Sequence, residues 1–481
     1  MLRLLKQYFP IRNILFFIIE WFVIFGSFLI STIILTEHEP FLFNLSLYLK
    51  IFLVVCVCQS SLYYNDLYDF KIASTIVEVS IRLFQSLGFT SIVLAMIYWA
   101  IPVVVINQLV FMLSIGFVLI FIIGWRLLYI FIIKKGIFNQ NIILLGSSPL
   151  AFDILKEIDY EPDCGYSVCV MIPDSEEEAL NANISEKIIV RTEKQDLCSL
   201  AKETGINKVV VALKEQRGLF PTQELIRCRT AGIEVIEGSS FYEMLTGKVL
   251  VTKIKPSWLI FSEGFRKSKL TNMVKRIEDI FISLIMLILL SPILLIISIL
   301  IKMESKGRIL FSQDRVGQKK KEFQMHKFRS MVEDAEKLSG PVWAQNHDPR
   351  ITKVGKIIRR FRIDELPQLW DVLTGKMSMV GPRPERKHFT DELEKKIPFY
   401  SERFILKPGI TGWAQISYRY GANMDDAIEK LNYDLFYIKN VSILMDAIIL
   451  LRTAKTVLFS NPDGHFKIPH LWPGQNPPAT E

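Results

Sequence analysis

IFISLIMLILLSPILLIISILI, residues 280–301, is an uninterrupted apolar run with a Ser-Pro pair at its centre. Its length suits a membrane helix, which needs about 20 apolar residues. Its charges fit a crossing poorly. Lys267, Lys269, Lys275 and Arg276 precede it, and Lys302, Lys306 and Arg308 follow it. A helix that crosses places one of these clusters outside, against the positive-inside rule. Pro292 removes one helix hydrogen bond and collides with the carbonyl four residues back, so a bend is expected there. Ser291 can bond a carbonyl freed in this way, which matters where no water is available. A helix over 275–303 that enters one leaflet, bends and returns satisfies these features; a kinked crossing span is the competing reading.

Upstream, four further apolar stretches lie at about 13–35, 43–63, 83–106 and 108–133. Each has spanning length. A cleavable signal peptide fits the first poorly, because the run is long and no small-residue cleavage site follows it. Arg3, Lys6 and Arg12 precede the first stretch, Lys71 and Arg82 lie between the second and third, and Lys134 and Lys135 follow the fourth. The other two connections hold no Lys or Arg, so four spans with both ends in the cytoplasm are expected over residues 1–136. The chain of 481 residues, with mean hydropathy +0.30, is thus a membrane protein of two or three units. Six cysteines, none after Cys228, show no zinc spacing and read as structural.

The middle, residues 137–262, changes character. NIILLGSSPLAFDILKEI (141–158) runs from an apolar β-type segment through a Gly-Ser-Ser turn into a helical pattern. Further strands are expected at Tyr166–Ile172, Lys187–Val190 and Lys208–Leu213. The alternation predicts a small Rossmann-like α/β domain with a parallel sheet. Its dinucleotide fingerprint is incomplete, with Gly146 in place but Ser148 and Ala151 where glycines belong. A structural or regulatory role is expected for it, with no NAD or NADP.

The C-terminal part is basic. From Arg266 onward the balance of charge is +11, against −3 before it and +8 for the whole chain. Such an excess suits nucleic acid, an anionic membrane surface or a phosphorylated substrate. No nucleic-acid-binding signature accompanies it, so no nucleic-acid partner is expected. Within this part, RRFRIDELPQ (359–368) sets Asp364 and Glu365 behind three arginines and ahead of Pro367. Asp364 can be read as the N-cap of a helix beginning at Glu365.

Longer blocks surround that pair. They are FSQDRVGQKKKEFQMHKFRSM (311–331), DPRITKVGKIIRRFRIDELPQLWDVLTGKMSMVGPRPE (348–385), LKPGITGWAQISYRYGA (406–422) and YDLFYIKN (433–440). Together they resemble the bacterial sugar transferase family of monotopic phosphoglycosyl transferases, over residues ~265–460. The four-span region and the degenerate nucleotide-type domain resemble the family's long form. The resemblance implies a mainly α catalytic domain over 263–481 with a re-entrant helix, whose Ser291-Pro292 bend matches the family. It places that domain on the cytoplasmic face of the bacterial inner membrane; a crossing helix would carry it away from nucleotide substrates.

The resemblance further implies transfer of a sugar 1-phosphate, with glucose or galactose leading, from a UDP-sugar to undecaprenyl phosphate. This is the first membrane step of exopolysaccharide, capsule or O-antigen repeat-unit synthesis. Asp364 is the implied nucleophile on the β-phosphorus and Glu365 the implied Mg2+ ligand. Adjacent residues on a helix diverge by about 100°, which favours two separate roles. Arg383, in Gly381-Pro382-Arg383-Pro384, offers a guanidinium fork to phosphate. Lys327 and Arg359 match family active-site positions, and Arg419 is a weaker nucleotide-contact candidate. Membrane lipids, a second copy of the chain and downstream glycosyltransferases complete the expected partners. Two alternatives stand beside this: a non-catalytic assembly or regulatory protein, which would lose the acids, and a nucleotide-sugar-modifying enzyme, which would need the missing glycines.

Overall fold

The four N-terminal apolar stretches are helices α1 (Ile11–Leu35), α2 (Leu45–Tyr64), α3 (Ile76–Ala100) and α4 (Gln108–Lys134) in a computed structural model of the chain. The structure describes residues 2–4, 7–9, 11–35, 45–68, 76–134, 139–160, 164–174, 189–190, 196–214, 220–254, 259–260, 262, 264–332, 350–418 and 423–459. All four helices are long and apolar enough to cross a membrane. The third is displaced from the expected 83–106. Arg82, read as a loop charge, lies inside it and reaches back to the Asn65 carbonyl at 3.1 Å and to Asp66 at 3.5 Å. The chain leaves this helix before Pro102, which opens the 3-10 turn Pro102–Val104. Ile24, Phe28, Val54, Leu83 and Ile122 meet inside the bundle. Buried among them is one charged pair, with Arg126 Nη2 2.6 Å from Glu20 Oε1 and the guanidinium also donating to the Leu67 carbonyl. A lone charge at that depth is costly, so each ion is retained by its partner.

After the bundle come β1 (Gln140–Leu145), α5 (Pro149–Tyr160), β2 (Tyr166–Ile172), β3 (Ile189–Val190), α6 (Leu197–Glu203), β4 (Lys208–Val211), α7 (Thr222–Thr230) and β5 (Glu234–Glu237). The strands form one parallel sheet in the order β3-β2-β1-β4-β5, a Rossmann-type arrangement. Residues 187–188 of the expected third strand lie outside the described residues, β4 stops two residues earlier than expected, and β5 is an addition. β5 alternates Glu-Val-Ile-Glu on the sheet edge, too short and charged to stand out in sequence.

Gly146 has φ +114°, and a Cβ there would lie 2.3 Å from the Ala212 carbonyl oxygen. This glycine therefore serves the close approach of β1 to the end of β4. At the same turn Asp174 Oδ2 accepts from the Ser147 N–H at 2.7 Å and from its hydroxyl at 2.9 Å. A carboxylate of the protein holds the donors that a dinucleotide fold turns towards pyrophosphate.

The chain divides into two compact units at Phe241/Tyr242, inside helix α8 (Gly238–Thr246). The second unit continues with α9 (Lys269–Glu304), the hairpin β6 (Leu310–Val316) and β7 (Glu322–Phe328), α10 (Lys353–Arg360) and α11 (Gln368–Leu373). Then follow β8 (Ser378–Val380), α12 (Lys387–Lys396), β9 (Gly409–Thr411), α13 (Trp413–Ser417), α14 (Met424–Asn440) and α15 (Ile443–Phe459). β8 and β9 pair in parallel. The segment after α8 is strapped to α14 and α13. Val249 N donates to the Asn432 carbonyl and Val251 N to Asn432 Oδ1, both at 3.0 Å, and Trp413 Nε1 donates to the Gly247 carbonyl at 2.8 Å.

α9 is one helix through Pro292. The Ser291 hydroxyl donates at 2.8 Å to the Ile288 carbonyl, the group that the proline ring leaves without an N–H partner. Both ends of α9 are tied to the same unit. Near its start, Arg276 donates to the Val372 and Leu373 carbonyls at 2.6 and 2.8 Å, capping α11. One turn on, Asp279 accepts from Ser378 Oγ and Met379 N at 2.9 and 2.8 Å. At its last turn, Glu304 accepts from Lys353 N and Val354 N at 2.7 and 3.1 Å, satisfying first-turn donors of α10.

Candidate active site

α10 begins at Thr352, whose hydroxyl accepts from Gly355 N at 2.9 Å. It ends at Phe361, and Arg362 follows with φ 55°. That left-handed residue, unfavourable for a side chain other than glycine, turns the chain sharply. The 3-10 turn Ile363–Glu365 then drives both acids inward, leaving Asp364 8% and Glu365 7% exposed. Asp364 is not the N-cap of an α-helix. It sits inside the 3-10 turn, makes no capping bond, and α11 starts four residues later behind Pro367. The carboxylate is thus released from the local role that its sequence position suggested.

The two acids occupy different fields. Glu365 Oε1 lies 3.0 Å from Arg383 Nη2, 3.2 Å from Lys327 Nζ and 3.7 Å from Arg362 Nη1. Burial pushes the Glu365 carboxyl up, but Arg383, Lys327 and Arg362 together outweigh it and hold the group well below the usual carboxylate range. Asp364 shifts the other way. Burial and the neighbouring Glu365 charge raise its carboxyl above the ordinary aspartate value, opposed by Lys327, Arg359 and Arg362. The Lys327 ammonium is lowered by burial, with Glu365 opposing. Two adjacent carboxyls pushed in opposite directions suit two different tasks. Lys327, Arg359, Arg362 and Arg383 together make the surroundings cationic, as a phosphoryl group requires.

The comparisons with known proteins cover the unit that carries this cluster. Residues 270–460 match the model of the bacterial sugar transferase family. An exopolysaccharide production protein of Rhizobium leguminosarum bv. phaseoli is 41% identical over 190 residues, 38% of this chain and 95% of that one. The chain belongs to the bacterial sugar transferase family. A UDP-glucose:undecaprenyl-phosphate glucose-1-phosphate transferase of Klebsiella pneumoniae is 32% identical over 329 residues, 66% of this chain and 68% of its own. A UDP-N-acetylgalactosamine-undecaprenyl-phosphate N-acetylgalactosaminephosphotransferase of Aeromonas hydrophila is 42% identical over 234 residues. That match spans 49% of this chain and 54% of the Aeromonas protein.

Of the residues singled out in the sequence of this sugar transferase, Lys327, Arg359, Asp364, Glu365 and Arg383 are brought into one cluster by these contacts and charges. Ser291 and Pro292 lie in α9 outside it, and Arg419 lies outside the described residues. Other residues were not singled out. Asp371, wholly buried, accepts from the His326 backbone N–H at 2.9 Å and pairs with His326 Nδ1 at 2.7 Å, pinning β7 to α11 beside Lys327. No local signal marks it, since His326 lies 45 positions away in the chain. Arg315 donates to the Pro384 carbonyl at 3.1 Å, and only the fold brings the two together.

For a divalent cation, the described residues hold no group of three His, Cys, Asp or Glu. A dedicated protein cage is therefore missing among them. Mg2+ asks for less, commonly one or two carboxylates plus substrate phosphates and water. Glu365, with the phosphates of a bound substrate, fits that donor set, and its Oε1 lies within reach of Arg383, Lys327 and Arg362.

Proposed function

We propose that the protein transfers a sugar 1-phosphate from a UDP-sugar to undecaprenyl phosphate, releasing UMP, in the first membrane step of exopolysaccharide, capsule or O-antigen repeat-unit synthesis. The observation that carries this reading is the divided carboxylate pair, with Glu365 neutralised by Arg383 and Lys327 while Asp364 is left to react. A carboxylate oxygen of Asp364 attacks the β-phosphorus. The bond from that phosphorus to the oxygen bridging to the α-phosphate breaks, and UMP leaves with the electron pair. An oxygen of undecaprenyl phosphate then attacks the same phosphorus, the aspartyl–phosphorus bond breaks, and the Asp364 carboxylate returns. Lys327, Arg359 and Arg383 neutralise charge on the donor's phosphates during both transfers. Glu365, with the donor diphosphate, would hold Mg2+, which supplies Lewis-acid neutralisation of phosphoryl oxygens when bound.

In this reading α9 is re-entrant and the catalytic unit lies on the cytoplasmic face of the bacterial inner membrane. What supports it is the pair of tethers at Arg276/Asp279 and Glu304. A straight helix of that span would separate its ends by about 40 Å, more than the roughly 30 Å hydrocarbon core. Yet α10 and α11, which receive the two ends, are linked through a single 3-10 turn. A second copy of the chain and the glycosyltransferases that extend the product are the further partners.

The test is UMP release and adduct mass. Purified enzyme given Mg2+ and each of UDP-glucose, UDP-galactose and UDP-N-acetylgalactosamine is expected to release UMP with one of them and gain the mass of that sugar phosphate. Undecaprenyl phosphate should then discharge the adduct. Release of UMP only when both substrates are present, with no adduct ever seen, would refute the covalent route.

A further inference from the structure

Arg383 sits in a loop that cannot hold itself. Pro382 and Pro384 supply no backbone N–H, so the conformation of Gly381-Pro382-Arg383-Pro384 must be held largely through its carbonyls. Each one from Pro382 to Glu385 accepts from a different donor. Gly409 N donates to the Pro382 carbonyl at 3.0 Å and Val316 N to that of Glu385 at 2.9 Å. Arg315 Nη1 donates to the Pro384 carbonyl at 3.1 Å, and Arg403 Nη2 to that of Arg383 at 3.1 Å.

We propose that Arg403 is the positioning residue of the Arg383 fork: through the Arg383 carbonyl it fixes where that guanidinium meets Glu365 and the donor's phosphates. Arg403 is itself immobilised. It lies in the 3-10 turn Tyr400–Ile405, 7% exposed, with Nη2 also 2.9 Å from Asp434 Oδ2 on α14 and Nη1 donating to the Tyr400 hydroxyl. Its guanidinium carbon stands 5.0 Å from the centre of the Tyr400 ring. Asp434 is 2% exposed, so neither member of this pair can exchange its partner for water. A buried ion pair is a weak device for stability alone. Here the bifurcated Nη2 joins it to the one carbonyl whose own side chain reaches Glu365 at 3.0 Å. Lysine in this place keeps the charge but lacks the planar fork that spans Tyr400, Asp434 and the loop.

Arg383 needs such placement only if it binds the donor's phosphates, as proposed above. The experiment is a double-mutant cycle on UMP release by the full-length enzyme, using Arg403→Lys, Arg383→Lys and the pair, with a melting curve for each. Arg403→Lys is expected to lower kcat about tenfold to a hundredfold with KM little changed, the scale of a small misplacement. In the Arg383→Lys background it should cost little more, because coupled residues are not additive. Losses that multiply independently would overturn the positioning role while leaving the active-site reading intact. An Arg383→Lys enzyme with undiminished UMP release would overturn the phosphate-fork reading and this role with it. If Arg403→Lys does not accumulate folded, Tyr400→Phe, which removes one anchor of Arg403, and Asp434→Asn, which removes the charge of the other, enter the same cycle with the same expected non-additivity.

Discussion

At the scale of single residues, the structure separates two neighbouring acids that look equivalent in the chain. Asp364→Asn keeps size and polarity but has no anionic oxygen to attack, so it should neither release UMP nor gain mass. Near-normal turnover by the folded variant would end the covalent mechanism. The pH dependence follows from the raised carboxyl of Asp364. In the proposed mechanism only the anion attacks, so UMP release should fall as pH drops through a value above the ordinary 3.8. Glu365, Lys327, Arg359 and Arg362 set that field. Stability should divide the pair as well. A raised folded value favours the fold below the ordinary value and loses that contribution as pH rises, so Asp364→Asn should melt higher than wild type near pH 7. Glu365 has the opposite sign: its stabilisation is present above the ordinary 4.5 and lost in acid. Glu365→Gln should therefore melt lower near pH 7. Melting shifts of the same sign for both would contradict the separation.

Among the elements, α9 and the membrane bundle make the sharpest claims. Cysteines placed just before residue 275 and just after 306, with the six native cysteines replaced, should both be shielded from a membrane-impermeant thiol reagent in intact cells. Labelling of one alone means that α9 crosses. Pro292→Ala restores the N–H that Ile288 lacks and should straighten the helix and favour crossing. In the bundle, Arg126→Leu leaves Glu20 as a buried unpaired charge, a loss of about 3–5 kcal/mol where one partner of such a pair is removed. Combining it with Glu20→Leu should recover most of that loss in thermal unfolding, whereas unrelated sites would simply add.

For the whole molecule, the nucleotide-type domain and the transferase unit part company at Phe241/Tyr242. Because Asp174 holds the Ser147 donors and Gly146 is needed for β4, NAD and NADP titrations should show no stoichiometric binding. Tight binding of either would overturn this account of the turn. Excision of residues 137–237 should impair assembly or stability more than chemistry. Excision through 262 removes the strap on Asn432 and Trp413 and should lower UMP release as well, since α14 carries Asp434. Equal activities of the two deletions would show that the strap is dispensable.

The apolar stretches, the parallel sheet and the basic acid-bearing blocks were legible in the sequence because each signal is local. A spanning helix, an alternating strand or a Pro-Arg-Pro loop is written within about twenty consecutive residues. The first turns of helix α3, and strand β5, escaped for the same reason, since a charge held by the preceding turn and a short acidic edge strand look like loop when read alone. The electrostatic identity of the site is not local. Glu365 is held as an anion by Lys327, 38 positions before it, and by Arg383, 18 after it. Arg383 is in turn placed by Arg403, and Arg403 by Asp434, a further 31 positions on. The chain alone supplied the candidate groups. Only tertiary structure could decide which carboxylate is neutralised by neighbouring cations and which is raised by burial, because burial and opposite charge act through space.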